Sequence, residues 1–171
     1  MSGFMNPDGS ALVEMNTQTM ARNGQVFSAT TTRVLASGAL TTGVSLFNPA
    51  NSGKNILIYS IKMGLNNNLI AGHATLTATD PALGTAMNVY NMKAGGVTSA
   101  IASTLSYVNG AATQSGNVFD FFQAPTADFR EMLTNFKVIL LPAGFANGVA
   151  LFPSIPAAGY WVVTFTYAEY S

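Results

Sequence analysis

Apolar and polar positions alternate with a period of two along much of this chain, the signature of strands that bury one face. The last stretch is the clearest. Trp161, Val163, Phe165 and Tyr167 alternate with Val162, Thr164, Thr166 and Ala168, so one face can bury three aromatic rings. His73–Thr79 alternates again, with Ala74, Leu76 and Ala78 opposite Thr75, Thr77 and Thr79, until Asp80-Pro81 breaks it. Over Asn55–Gly64, Leu57, Tyr59, Ile61 and Met63 fall on one face, and Ile56, Ile58, Ser60 and Lys62 on the other. Apolar residues on both faces near its start predict a strand buried on two sides. Val26–Leu35, Val44–Phe47, Val138–Leu141 and Gly148–Phe152 read as further strands, and Met87–Met92, Val97–Val108 and Val118–Phe122 as fainter ones. Asn48-Pro49, Asn66-Asn67-Asn68, Gly95-Gly96 and Asn109-Gly110 punctuate them as turns.

One segment carries a helical period. Phe129, Met132, Leu133 and Phe136 stand at i, i+3, i+4 and i+7, so the spacing predicts a helix over Thr126–Phe136. Thr126 would cap it after Pro125, and Asp128 and Glu131 suit the positive end of its dipole. Short strands with turn signals every 8–12 residues or so predict an all-β fold. The expected architecture is a β-sandwich or a jelly-roll-like barrel with this one short helix and an extended N-terminal arm. The arm covers residues 1–24, where no stripe of either period runs, and the β body covers residues 25–171. Four of the eight methionines lie in the arm, and methionine adapts to irregular contact surfaces. Phe4, Met5, Met15, Met20 and Arg22 are therefore its candidate interface residues, facing either their own body or a neighbour.

Composition narrows the function. The 171 residues fit a single domain. Apolar residues make up 49% and charged residues only 8%, against roughly 25% charged in an ordinary soluble domain. Seven basic and seven acidic residues cancel. Such a chain has little charge to hold free copies apart, so its surface calls for protein partners or a membrane. The longest apolar stretch, Val138–Ala146, is interrupted by Pro142 and Gly144 and falls short of the roughly 20 residues that cross a bilayer. The opening residues lack the basic and apolar regions of a signal peptide. Membrane and nucleic-acid partners are both excluded, the second by the scattered and balanced basic residues. Assembly with other protein is left.

Groups for catalysis are scarce. Cysteine is absent, which removes disulfides, thiolate metal sites and a thiol nucleophile. The single histidine, His73, has no Gly-x-Ser-x-Gly elbow to serve. Asn51-Ser52-Gly53-Lys54 lacks the upstream glycine of a phosphate-binding loop. Asp120, Asp128 and Glu131 form the one acidic cluster of the body, and first-turn helix acids account for two of them. The chain reads as a non-enzyme that needs no cofactor and no metal. Trp161 is a core residue rather than a sugar-stacking platform. Tyr90, Tyr107 and Tyr160 are the aromatics that could face a glycan.

Two stretches carry a resemblance. Phe47-Asn48-Pro49-Ala50-Asn51-Ser52-Gly53-Lys54-Asn55-Ile56-Leu57-Ile58-Tyr59 is one. Leu141-Pro142-Ala143-Gly144, with the ending Val162-Val163-Thr164-Phe165-Thr166-Tyr167-Ala168-Glu169-Tyr170, is the other. Both resemble segments of small β-rich virion structural proteins of tailed bacteriophages. The resemblance implies a β-sandwich or jelly roll, often trimeric, made in the host cytoplasm and built into the virion. The implied role is a homotrimeric capsid decoration or cement protein, whose partner is the major capsid protein or another virion protein. The alternative is a tail, head-fibre or receptor-binding component that recognises a host glycan. The arm departs from the family's pattern, and no catalytic residue is carried over.

Overall fold

The computed structural model describes residues 18–31, 34–36, 43–65, 70–77, 85–96, 103–107, 117–124, 129–133, 138–154 and 159–171. In chain order the strands are β1 (Val26–Thr30), β2 (Val34–Ala36), β3 (Gly43–Asn48), β4 (Asn55–Leu65), β5 (Ile70–Thr77), β6 (Thr85–Ala86) and β7 (Asn88–Asn91). They continue with β8 (Ser103–Tyr107), β9 (Asn117–Ala124), β10 (Phe129–Glu131), β11 (Ile139–Leu141), β12 (Asn147–Ser154) and β13 (Gly159–Tyr170). Every pairing is antiparallel. One sheet runs β10-β4-β13-β1-β7, with β11 also on β4 and β2 also on β13; the other runs β6-β8-β3-β12-β5-β9. The all-β expectation holds.

Both sheets turn apolar residues into one core. From the first sheet come Phe27, Ala29, Ile56, Ile58, Ile61, Met63, Trp161, Val163, Phe165 and Tyr167; Val44, Leu46, Ala74, Val149 and Leu151 come from the second. The inward residues of β13 are the alternating set that its sequence predicts. Phe27 and Tyr167 stack across β1 and β13 with ring centroids 5.7 Å apart, a favourable aromatic pair beyond its buried area.

Strand β4 corrects the two-sided reading. Its buried residues are Ile56 and Ile58, then Ile61 and Met63, a change of parity halfway along. The cause is a β-bulge. Tyr167 pairs with Ile58 and Thr166 with Ser60, so Tyr59 is an extra residue in the ladder with β13. Apolar residues occupy both parities because the strand changes parity, while a single face stays inward.

The predicted helix over Thr126–Phe136 is overturned within the described residues. Phe129–Glu131 is β10, paired with Lys62–Gly64 of β4. The Met132 N–H continues the pairing to Ile61 O at 2.9 Å. Leu133 still reaches the core, with Met132 packed against it. Leu133 thus reaches the core by another route, and the open edge of β4 supplied the hydrogen bonds.

Helix occurs instead at residues 18–22, inside the arm expected to be extended. Gly24, at φ +73°, ends it. The Gln25 N–H donates to Met20 O at 2.8 Å and the Gly24 N–H to Ala21 O at 3.0 Å, the paired bonds of a Schellman cap.

The middle strands of the second sheet are buried on their other face too. All six residues of β3 are buried, and so are Ala150 and Phe152, which alternate with the core residues of β12. Phe47 pairs with Gly148 across β3 and β12. A Cβ at Gly148 would lie 2.7 Å from both Leu46 O and Phe47 Cδ2. Gly148→Ala is therefore expected to cost about 1–3 kcal/mol as the strands and the ring shift, read as a lower urea midpoint. An unchanged midpoint would mean that the ring does not pack over this glycine.

Candidate functional site

The stretches that carry the resemblance meet at one end of the sheets. Asn48, the last residue of β3, is fully buried. Its Nδ2 donates to Lys54 O at 2.9 Å, Leu141 O at 3.0 Å and Pro142 O at 3.1 Å. Asn147, its cross-strand partner, donates from Nδ2 to Pro142 O at 3.2 Å and Phe145 O at 3.0 Å. The Ala143 N–H donates to Asn55 Oδ1 at 3.0 Å. Lys54 Nζ reaches Ser171 Oγ. Asn48 and Asn55 thus bind the loop 49–54 to the loop 142–146, Asn147 braces the second loop, and Lys54 brings the C-terminal residue to the same place. Gly53 at φ +66° and Gly144 at φ +81° permit the tight turns. Phe145 stands at the tip of the second loop, 67% exposed. This is a hydrogen-bonded presentation surface whose named charge is the Lys54 ammonium.

A second surface lies on the face of the first sheet turned away from the core. The strand registers align two rows across it. One row is Tyr90, Ser28, Thr166 and Ser60 on β7, β1, β13 and β4. The next row is Asn88, Thr30, Thr164, Lys62 and Glu131 on β7, β1, β13, β4 and β10. Neither row contains an aliphatic residue. Thr30 Oγ1 and Thr164 Oγ1 hydrogen-bond at 3.1 Å, and Ser60 Oγ donates to Glu131 Oε1 at 2.7 Å. Tyr90 is 62% exposed at the edge, and Tyr160, 42% exposed, shares the same parity of β13. At the other end the helical turn 18–22 closes the face, where Tyr59 Oη donates to Met20 Sδ at 3.2 Å.

The other predicted residues are dispersed. His73 sits in β5 opposite Phe152 and Phe121. Asp120 is in β9 of the second sheet and Glu131 in β10 of the first, so the acidic cluster does not form around a helix face. Asp128 lies outside the described residues. Among the described residues no three His, Cys, Asp or Glu side chains gather where they could hold a metal ion, and no helix is long and apolar enough to cross a membrane. Trp161 is fully buried. Tyr107 lies in β8, opposite Gly43. Of the arm residues, Met20 meets Tyr59 of its own body and Arg22 is exposed; Phe4, Met5 and Met15 lie outside the described residues. Residue-by-residue reading missed the asparagine clamp, because its partners are backbone carbonyls up to 94 positions away. The alternating hydroxyls of β1 and β13 were visible, but their alignment depends on register.

Compared with models of known protein families, with curated proteins and with solved structures, the chain matches none.

Proposed function

We propose that this chain is a virion structural protein of a tailed bacteriophage: a homotrimeric capsid decoration protein that binds the assembled head through its arm and β body. The observation that carries the reading is the convergence at Asn48 of the two stretches that resemble such proteins. They form one clamped end rather than two unrelated turns. The strand plan supports it. Without the flanking strands, the first sheet reads β1-β13-β4-β10 and the second β3-β12-β5-β9. Every step along those eight strands except β5 to β9 crosses between sheets, and we read this as a jelly roll. A protein that binds only the assembled shell stabilises it by mass action.

The arm gives the test. Residues 18–24 belong to the body, because Met20 holds Tyr59 and Asn91 Nδ2 donates to Gly24 O at 2.9 Å. Deleting residues 1–17 is therefore expected to leave the unfolding midpoint in place. It should weaken co-sedimentation with heads assembled from the major capsid protein of the same virus by about tenfold or more, roughly 1.4 kcal/mol. Full-length chain that stays in the supernatant, or that is monomeric at head-binding concentrations, would overturn the proposal.

The exposure of Tyr90 and Tyr160 on one face of the first sheet favours a second reading, a tail, head-fibre or receptor-binding component. Antibody labelling of intact particles separates the two.

A further inference from the structure

We infer that the outward face of the first sheet is a binding surface for a neutral polysaccharide. The inference deepens the glycan-recognising reading but rests on this face alone, wherever in a particle the chain sits. The two polar rows offer hydroxyls, an amide, one ammonium and one carboxylate on five paired strands. Neighbouring strands lie about 4.8 Å apart and the rows about 6.7 Å apart along each strand. A periodic field of donors and acceptors fits a ligand that is itself a periodic array of hydroxyls. Tyr90 at the rim adds what hydroxyls lack, a ring with an apolar face for sugar C–H groups and a polar tip left in water.

The same chemistry disfavours other occupants. Lys62 is the one cation in the rows and faces Glu131 across the ladder, so a phosphate backbone finds no basic track. The rows themselves hold no aliphatic anchor for the buried centre of a protein interface; Leu57 and the exposed Leu140 lie beyond them, across β4 and β11. Serine and threonine on paired strands also lose little side-chain entropy on binding. A shallow face of this kind binds weakly as one copy and gains by repetition on an oligomer or a particle.

The test is affinity electrophoresis of the full chain through gels containing dextran, mannan, xylan or the neutral O-polysaccharide of the host cell. Retardation by at least one of them is expected. Tyr90→Ala should weaken it by about tenfold or more, and Thr164→Val should weaken it less, with unfolding midpoints held. Val118→Ala, at an exposed side chain on β9 of the other sheet, should change nothing. No retardation by any of the four overturns the inference, as does retardation that survives Tyr90→Ala. If the Tyr90 and Thr164 variants instead lose self-association or head binding, the face is a protein contact and the inference also fails. Head binding is measured separately, so either proposal can fall while the other stands.

Discussion

Trp161→Ala is expected to lower the stability of the fold by about 3–5 kcal/mol, the loss typical of emptying a buried indole site. Trp161 is fully buried at the head of the inward row that continues through Val163, Phe165 and Tyr167. It pairs with Leu65 on β4 and with Val34 on β2, so its cavity would open beneath three paired strands of the first sheet. A domain holds only about 5–15 kcal/mol in total, and the variant is expected to be largely unfolded well below the melting temperature of the parent. Trp161 is also the single tryptophan of the chain, so its emission reports unfolding directly in the parent. Circular dichroism in urea serves for the variant. Trp161→Phe should keep most of the stability. A shift under about 1 kcal/mol for the alanine variant would place the indole outside the core.

The second large effect is at Asn48. Asn48→Leu keeps the bulk but removes the Nδ2 donor, which three carbonyl oxygens share. Pro142 O keeps its bond from Asn147. Lys54 O keeps one from Ser52 Oγ at 3.2 Å. Leu141 O loses the buried bond from Asn48, at about 1–3 kcal/mol for a group left buried and unpaired. Asn48→Asp sharpens the test by adding a charge. A carboxylate aimed at carbonyl oxygens in a buried site is disfavoured, so the folded-state pKa of the introduced acid rises above its unfolded value of about 3.9. Below that value both states are protonated and the variant is closest to the parent. As the pH rises from there through the raised folded pKa, the unfolded chain ionises first and stability is lost. The deficit of Asn48→Asp against the parent should therefore grow from pH 4 to pH 7. A deficit that does not change with pH would mean that the side chain is not held against the carbonyls.

The strands of strong alternation were legible because each needs nothing beyond itself. The inward set of β13 follows from Trp161, Val163, Phe165 and Tyr167 alone, and β3, β11 and β12 lie where their apolar runs stand. What failed depends on partners. The run from Phe129 to Phe136 satisfies a helical period, yet Phe129–Glu131 pairs with the edge of β4, and no local pattern reports that an edge is open. The turn at residues 18–22 was signalled by Asn23-Gly24, a cap signature, but a short helix has no second turn in which to repeat an apolar stripe. The candidate surfaces divide in the same way. Asn48-Pro49 was legible as a turn, while the service of Asn48 to Leu141 and Pro142 is a tertiary fact. The threonines of β13 and the serines and threonines of β1 were legible as the wet side of strands. That they align with Lys62 and Glu131 in one row follows only from the registers of four strand pairs.

The bulge in β4 bears on how this molecule can change over generations. Leave Tyr59 out, and Ile56, Ile58, Ile61 and Met63 fall into unbroken alternation with Leu57, Ser60 and Lys62, in regular register with β13. The strand is thus one codon away from an uninterrupted one. A single in-frame insertion or deletion at this point adds or removes the hydroxyl that tethers Met20 without turning any core residue outward. The way the N-terminal segment is moored can drift between lineages while the body stays the same.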